Sequence, residues 1–357
     1  MAWLCDMIYR VVRPLLFRMD AERSHRLTIA LLSHFPRHIA RHFDPPELQS
    51  SVMGLSFSNP VGLAAGMDKD ALAIRAWNAL GFGFAEIGTI APRPQAGNSR
   101  PRIWRIPERR ALVNRMGFPS DGIEMVAPRI RRVRMTPIKL RIAINVGPNK
   151  DTASEHVAGD CAAVARQAAP LCDFMVVNLS SPNTPGLRDF QAPERMRTVV
   201  EAIRRACADV GSTPPLLLKL APDLESSMLA EICAASLELE LAGIVATNTT
   251  LNHAEAGVVS RFEGGLSGEP LKLRAREVIG RIRGLTSGRI VIVGVGGVAS
   301  AEDAYGHIRA GANLVELYTG LIYRGPGVVC AIKAGLRRLL MRDGFRSISE
   351  AVGRDIG

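Results

Sequence analysis

The sequence predicts an α/β fold: a (β/α)8 TIM barrel with an N-terminal amphipathic helical extension. Eight short apolar runs of strand length recur along the chain, and stretches of helical period lie between most of them. That alternation is the signature of parallel strands joined by helical crossovers. No early run ends in a dinucleotide-type glycine turn, which favours a closed barrel over an open doubly wound sheet. The length of 357 residues fits one large barrel or two domains, and 47% hydrophobic against 22% charged residues excludes intrinsic disorder.

Residues 1–42 form the first unit. Leu4, Ile8, Val11 and Leu15 fall on one helical face, and Leu27, Leu31 and His34 continue the spacing after Asp20, a predicted N-cap. Pro14 interrupts the first stretch, so two short helices are expected rather than one long one. The segment carries seven arginines against Asp6, Asp20 and Glu22, a net +4. An amphipathic basic hairpin suits an anionic bilayer surface, and equally a hairpin packed on the barrel.

Residues 43–357 form the second unit, the barrel. Val52-Met-Gly-Leu-Ser-Phe57 predicts a short hairpin closing its bottom. The strands follow at Val61–Ala65, Phe84–Gly88, Ile142–Val146, Asp173–Asn178, Pro215–Lys219, Ala242–Thr247, Ile290–Val293 and Asn313–Tyr318. Helical periodicity fills Asp70–Leu80, Thr152–Ala169, Pro193–Val210, Glu225–Leu239 and Ala301–Ala310. Segments 90–141 and 248–271 are too long for simple connections and read as lids or binding loops. The run Arg129–Arg141, with six cations and no acid, reads as a solvated helix face.

In this architecture the chemistry collects at the C-terminal ends of the strands. Those ends read Ala65-Gly66 with Lys69, then Thr89, Asn145, Asn178, Lys219, Thr247-Asn248-Thr249, Gly296-Gly297 and Tyr318-Thr319. Amides, hydroxyls and lysines, without histidine or a carboxylate cluster, argue against a metal site and for holding a planar, anionic, hydrogen-bonding molecule. Val293-Gly-Val-Gly-Gly-Val298, followed by a helix capped by Ser300, reads as a phosphate cradle. Lys219 ends an otherwise apolar strand and is read as a cation facing the electron-rich end of a reduced cofactor. Lys69 alone reads equally well as a surface lysine. Asn178-Leu-Ser-Ser-Pro-Asn-Thr-Pro-Gly186 places five hydrogen-bonding side chains in seven residues, dense for a mere turn.

The net charge of +11 and a pI near 9.9 imply an anionic partner without choosing between nucleic acid, membrane and substrate. Six widely spaced cysteines without a C-x-x-C read as reduced thiols. No apolar run is long enough to span a bilayer, and the N-terminus lacks the marks of a secretory signal.

Seven collinear motifs then carry a resemblance. Ala64-Ala-Gly-Met-Asp-Lys-Asp70, Glu86-Ile-Gly-Thr89, Pro92-Arg-Pro-Gln95, Asn114-Arg-Met-Gly-Phe118, Asn178–Gly186, Ala246-Thr-Asn-Thr-Thr250 and Gly264-Gly-Leu-Ser-Gly268 together resemble the dihydroorotate dehydrogenases, specifically the class 2, quinone-dependent members. The resemblance spans about residues 14–335. It implies an enzyme of pyrimidine synthesis that oxidises (S)-dihydroorotate to orotate with flavin mononucleotide (FMN) and passes electrons to a membrane quinone. By motif, Ala65, Gly66, Lys69, Thr89, Asn145, Asn178, Lys219, Thr247, Gly268, Gly296, Gly297, Tyr318 and Thr319 are implied to hold the flavin. Its phosphate would sit on Gly296-Gly297 and the Tyr318-Thr319 amides. Lys69, Asn114, Arg115, Met116, Gly117, Phe118, Asn183, Asn248 and Thr249 are implied to surround the substrate. Charge on Lys69 and donor–acceptor pairs on the asparagines suit a planar carboxylate bearing amides.

The class division falls at Ser181, where class 1 members place cysteine as base. A hydroxyl is a poor base, so Ser181 is expected to work through a relay by way of Thr184 and water, shielded by Phe118. The resemblance also makes residues 1–42 a monotopic membrane domain admitting quinone past His25, Arg105 and Tyr318, with Arg105 donating to a quinone carbonyl. A first helix without a long Arg/Ser-rich leader ahead of it points to the cytoplasmic side of a bacterial inner membrane, and the expectation is a peripherally bound monomer without nucleic acid. The alternative from another class is a flavin-dependent tRNA-dihydrouridine synthase-like enzyme, which would use a cysteine acid and need an RNA-binding appendage; the sequence shows neither a stacking-aromatic patch nor an appended basic domain. A non-catalytic membrane scaffold would leave Lys69, Asn183, Asn248 and Lys219 without a reason to sit at strand ends.

Overall fold

The computed structural model describes residues 2–34, 44–183, 186–258 and 260–356, with the side chains of residues 2–6 outside that description. Two helices lead, α1 (Ala2–Arg18) and α2 (Ala21–Ser33). Contrary to the expectation from Pro14, α1 runs through that residue. A proline removes one intrahelical N–H, and the other bonds carry the helix past it. The break between the two helices falls at Asp20, the predicted N-cap, whose carboxylate accepts the Arg23 N–H at 3.0 Å and starts α2. Leu4 belongs to the amphipathic stripe by sequence, but its side chain is among those not described.

Eight parallel strands close the barrel in sequence order: β1 (Val61–Leu63), β2 (Phe84–Ile90), β3 (Arg141–Val146), β4 (Phe174–Asn178), β5 (Leu216–Leu220), β6 (Gly243–Ala246), β7 (Val291–Val295) and β8 (Leu314–Leu317). The crossover helices are α3 (Ile74–Leu80), α4 (Ile123–Arg134), α5 (Val157–Ala168), α6 (Pro193–Ala208), α7 (Ser226–Glu238), α8 (Lys272–Leu285) and α9 (Ala301–Arg309). Three further helices, α10 (Thr319–Arg324), α11 (Val328–Arg342) and α12 (Ile348–Ala351), follow β8. Helix α3 starts four residues later than its periodicity suggests. The buried Asp68 carboxylate accepts the N–H groups of Leu72 and Ala73 and the Trp77 indole, which fixes residues 68–73 as a loop.

Side chains alternate across each strand, so one residue set packs outward and the other fills the barrel. Val61, Ile87, Ile142, Ile144, Met175, Leu218, Ile244 and Val315 face the helices in one continuous core. Inside, Phe84, Ala143, Phe174, Val176, Leu217, Val245, Val293 and Leu314 form a dry lower layer. The hairpin Ser50–Val52/Leu55–Phe57 seals its base, with Phe57 edge-on to Phe84 and Phe174.

Two residues further along six of the strands, the next inward positions are Glu86, Asn145, Asn178, Lys219, Thr247 and Glu316. A polar layer therefore lies directly on the apolar one. The two long segments do not act separately: Ile103–Ile106 and Ala111–Asn114 from the first pair with Gly265–Gly268 from the second in an antiparallel three-stranded sheet. The basic run also departs from the expected solvated face. Arg131, Arg132 and Lys139 are exposed, but Arg129 pairs with Asp121, and Arg134 and Arg141 both pair with Asp173. Unpaired carboxylates on neighbouring elements pull half the run inward.

Candidate active site

The polar layer is the floor of a cavity at the C-terminal ends of the strands. Lys219 and Glu316 line it, and Glu86 stands beneath with no exposure at all. Lys219 Nζ lies 2.9 Å from Glu86 Oε2 and 4.0 Å from Glu316 Oε2. Burial alone would lower the lysine pKa, but the Glu86 carboxylate above all holds it above its ordinary value. Asn145 binds Glu86 through its amide and accepts from Asn178 Nδ2 at 3.3 Å. It supports the floor from behind and does not line the cavity.

One wall is a mesh of amides and hydroxyls. Asn178 Nδ2 donates to Thr89 Oγ1 at 2.9 Å, Asn248 Nδ2 donates to Ser180 Oγ at 3.1 Å, and Asn183 Nδ2 donates to Asn114 Oδ1 at 3.3 Å. Ser181, 5% exposed, accepts the Asn183 N–H at 3.3 Å. Arg188 clamps this loop to the next: it donates to Ser180 O and Thr249 O and pairs with Asp223 at 3.0 Å. Phe118 adopts φ 51°, and its carbonyl accepts from Gln95 Nε2 at 2.7 Å. Thr184 lies outside the described residues.

Lys69 stands on the opposite side, donating to Gly66 O at 2.6 Å. Burial, with Arg102 acting the same way, pushes it down to about 8 against the pull of Asp70. Lys69 is thus a cavity residue, and its reading as a surface lysine is set aside.

At the third side lie Gly296 and Gly297, at φ 133° and 73°. A Cβ on Gly297 would come within 2.7 Å of the Lys272 backbone, so only glycine fits. His307, fully buried on α9, donates from Nε2 to Gly296 O at 2.9 Å, and burial pushes its pKa down to about 4, leaving it neutral. A trans peptide points its N–H opposite its C=O. Holding the Gly296 carbonyl outward therefore turns the Gly297 N–H toward the cavity. Ser300 caps α9 as expected, accepting the Asp303 N–H at 3.2 Å. Ser267 Oγ and Thr319 Oγ1 bond at 2.9 Å across from this cradle.

Of the residues read from sequence, Ala65, Gly66, Lys69, Thr89, Asn114, Met116, Gly117, Phe118, Asn178, Ser181, Asn183, Lys219, Thr247, Asn248, Thr249, Gly268, Gly296, Gly297, Tyr318 and Thr319 all line the one cavity. Arg115 does not: its guanidinium lies over the Trp104 ring at 5.5 Å, on the outside of the lid sheet. His25 and Arg105 also lie off the cavity lining. Arg105 donates to Met19 O at 2.9 Å and covers the Phe17 ring at 4.8 Å, binding the end of α1. His25 is pushed down to about 3 by burial and by the nearby Lys69 charge, so it is neutral. Burial likewise pushes Tyr318 to about 12. Sequence reading missed Glu86, Glu316, Ser267, Arg188, Gln95 and His307. Period-2 spacing from the interior apolar residues was the available signal for the first two.

A sequence model of the dihydroorotate dehydrogenase family matches residues 47–340. A relative from Anaeromyxobacter sp. (strain Fw109-5), named dihydroorotate dehydrogenase (quinone), is 48% identical over 359 residues, covering 98% of each chain. One of the same name from Rhodospirillum rubrum is 46% identical over 351 residues, covering 97% of this chain and 94% of its own. The crystal structure of the Eimeria tenella DHODH in complex with ferulenol matches with a TM-score of 0.88 at 35% identity, over 94% of this chain and 95% of that one. These matches do not favour the RNA-modifying alternative. Full-length likeness and a barrel whose polar floor, amide wall and glycine cradle converge on one cavity agree: the chain belongs to the flavin-dependent dihydroorotate dehydrogenases, in the quinone-dependent class.

Proposed function

We propose that this chain oxidises (S)-dihydroorotate to orotate over a flavin mononucleotide bound in the cavity, and that a membrane quinone receives the electrons beside the N-terminal helices. The observation that carries the reading is the meeting of Lys69, Asn114, Asn183 and Asn248 over Ser181 in a cavity floored by Lys219. The residues fit the cofactor: the Gly296–Gly297 turn and the Tyr318-Thr319 backbone suit its phosphate, and Thr89, Asn178, Lys219 and Thr247 suit its ring. The bound flavin would supply a hydride acceptor and an electron relay. Lys69 would pair with the substrate carboxylate, and Asn114, Asn183 and Asn248 would bond its amide edges. Ser181 Oγ would take the C5 proton, with Phe118, 8% exposed, excluding water. Ser181→Ala is expected to keep its flavin and lose about 10²–10⁴-fold in turnover; near-normal turnover would remove Ser181 from the mechanism.

Residues 1–42 would be the membrane unit and residues 43–357 the catalytic one. Met7, Ile8, Val11, Leu15, Leu27 and Leu31 of α1 and α2 are exposed apolar side chains, and no described helix is long and apolar enough to cross a bilayer. This suits a monomer lying on the cytoplasmic face of an inner membrane. His25, Arg105 and Tyr318 would border the quinone's path. The test is a visible spectrum of the protein in detergent. A flavin band bleached by anaerobic dihydroorotate and restored by a soluble ubiquinone analogue, but not by fumarate or NAD, supports the reading. A colourless protein or an unresponsive flavin overturns it.

A further inference from the structure

The floor holds two buried carboxylates and one ammonium. Lys219 Nζ is hydrogen-bonded to Glu86 at 2.9 Å, whereas Glu316 stands 4.0 Å from it. Glu316 is 1% exposed, lines the cavity, and accepts a hydrogen bond on neither oxygen among the described residues. Its strand neighbours are Gly62 on β1 and Val295 on β7, neither of which can donate a side-chain hydrogen bond. The rest of the polar layer contributes amides and a hydroxyl from Asn145, Asn178 and Thr247. Glu86 and Lys219 are therefore the titratable groups facing it. An ionised carboxylate without donors in such a place would carry an uncompensated desolvation cost, whereas the neutral acid carries none and gains an O–H donor.

We propose that Glu316 is held as a neutral carboxylic acid and donates a hydrogen bond from the barrel floor to the ring of the bound cofactor. Burial first, the Glu86 charge second and, least, a hydrogen bond to the Glu86 side chain keep its proton on, against the opposing pull of Lys219. The donor role rests on the flavin reading above; the protonation does not. Lys219 then supplies the floor's positive charge and Glu316 a neutral donor beside it, two different hydrogen-bonding partners for one planar ligand.

The test uses the full-length holoenzyme with Glu316→Gln, which is neutral and keeps a donor, and Glu316→Leu, which is neutral without one. An infrared carbonyl band of a protonated carboxylic acid, shifted by isotope-labelled glutamate, should be present in wild type at neutral pH and absent in Glu316→Gln. The flavin midpoint potential of Glu316→Gln should follow wild type across the neutral range. Flavin dissociation should stay within about threefold for Gln and weaken at least about tenfold for Leu, equal to about 1.4 kcal/mol. No such band in wild type, or a potential in Glu316→Gln well above wild type, would mean the carboxylate is charged and overturn the proposal. Equal flavin affinity in Gln and Leu would overturn the donor role. A protein that binds no flavin would overturn the cofactor reading and the donor role with it, while the infrared band still decides the protonation.

Discussion

The barrel floor and the N-terminal hairpin are each organised around a buried ion pair, and the two pairs are built differently. Lys219 and Glu86 project from β5 and β2 into the closed barrel, surrounded by strands. Glu22 and Arg102 join α2 to the lid segment: Arg102 Nη2 and Nε bond the two carboxylate oxygens at 2.7 and 3.0 Å, and Arg100 adds a second cation at 3.0 Å. Arg102 continues to Ala96 O and Asn98 O, and Asn98 Nδ2 to Arg115 O at 2.9 Å. The first pair fixes a charge inside rigid scaffold. The second ties an apolar surface helix to the loop that carries Asn114–Phe118. The difference teaches where each pair's loss would be felt: in the folded core for the floor, at a joint between units for the hairpin.

Breaking the floor should cost most. Lys219→Met leaves Glu86 buried without its cation, an expected loss of about 3–5 kcal/mol in urea unfolding together with loss of flavin colour. Unchanged stability would mean Glu86 has another partner. On the hairpin side, replacing Ile8, Val11 and Leu15, exposed by 52%, 71% and 60%, with serine should lower partition onto anionic liposomes about 100-fold. Flavin content should not change, and unaltered liposome binding would place the membrane contact elsewhere.

Glu22→Gln should loosen α2 by about 2 kcal/mol, since Arg102 keeps its backbone partners, and should speed proteolysis within α2. Burial alone would raise the Glu22 pKa, but bonds from Arg102 and Arg100 outweigh it and hold the carboxyl below its ordinary range. Its stabilisation is accordingly present above the unfolded carboxyl pKa of about 4.3 and fades as pH falls through the lower folded value. Protease sensitivity appearing only in acid would agree. Lys69, between the two regions, gives the smallest effect. With a pKa near 8 it loses charge as pH rises through that value, so KM for dihydroorotate should climb severalfold on the alkaline side. Lys69→Arg should flatten that limb, and a KM independent of pH would remove the ion pair.

Where residues carried a local signal, the sequence was informative. Strand ends exposed Lys219, Asn178 and Gly296–Gly297, because inward polar groups interrupt apolar runs at a fixed place in this fold. Helical spacing exposed α1 and α2 with the Asp20 cap between them, but it expected an interruption at Pro14 that does not occur, since one missing N–H is weaker than the surrounding helix. Arg115 sat in the motif but lies off the cavity, because just past the strand end its guanidinium settles over the Trp104 ring.

By itself the chain's order of apolar runs, helical stretches and motif residues determined the barrel, its active end and the family, for those depend on periodicity and on residues adjacent in sequence. Only the tertiary structure decided that segments 90–141 and 248–271 share one sheet, that His307 orients Gly296 and that Glu86, Lys219 and Glu316 meet. These contacts join residues from 11 to more than 100 positions apart, and the charge state of a group such as Glu316 is set by burial and by neighbours that closure of the barrel brings to it.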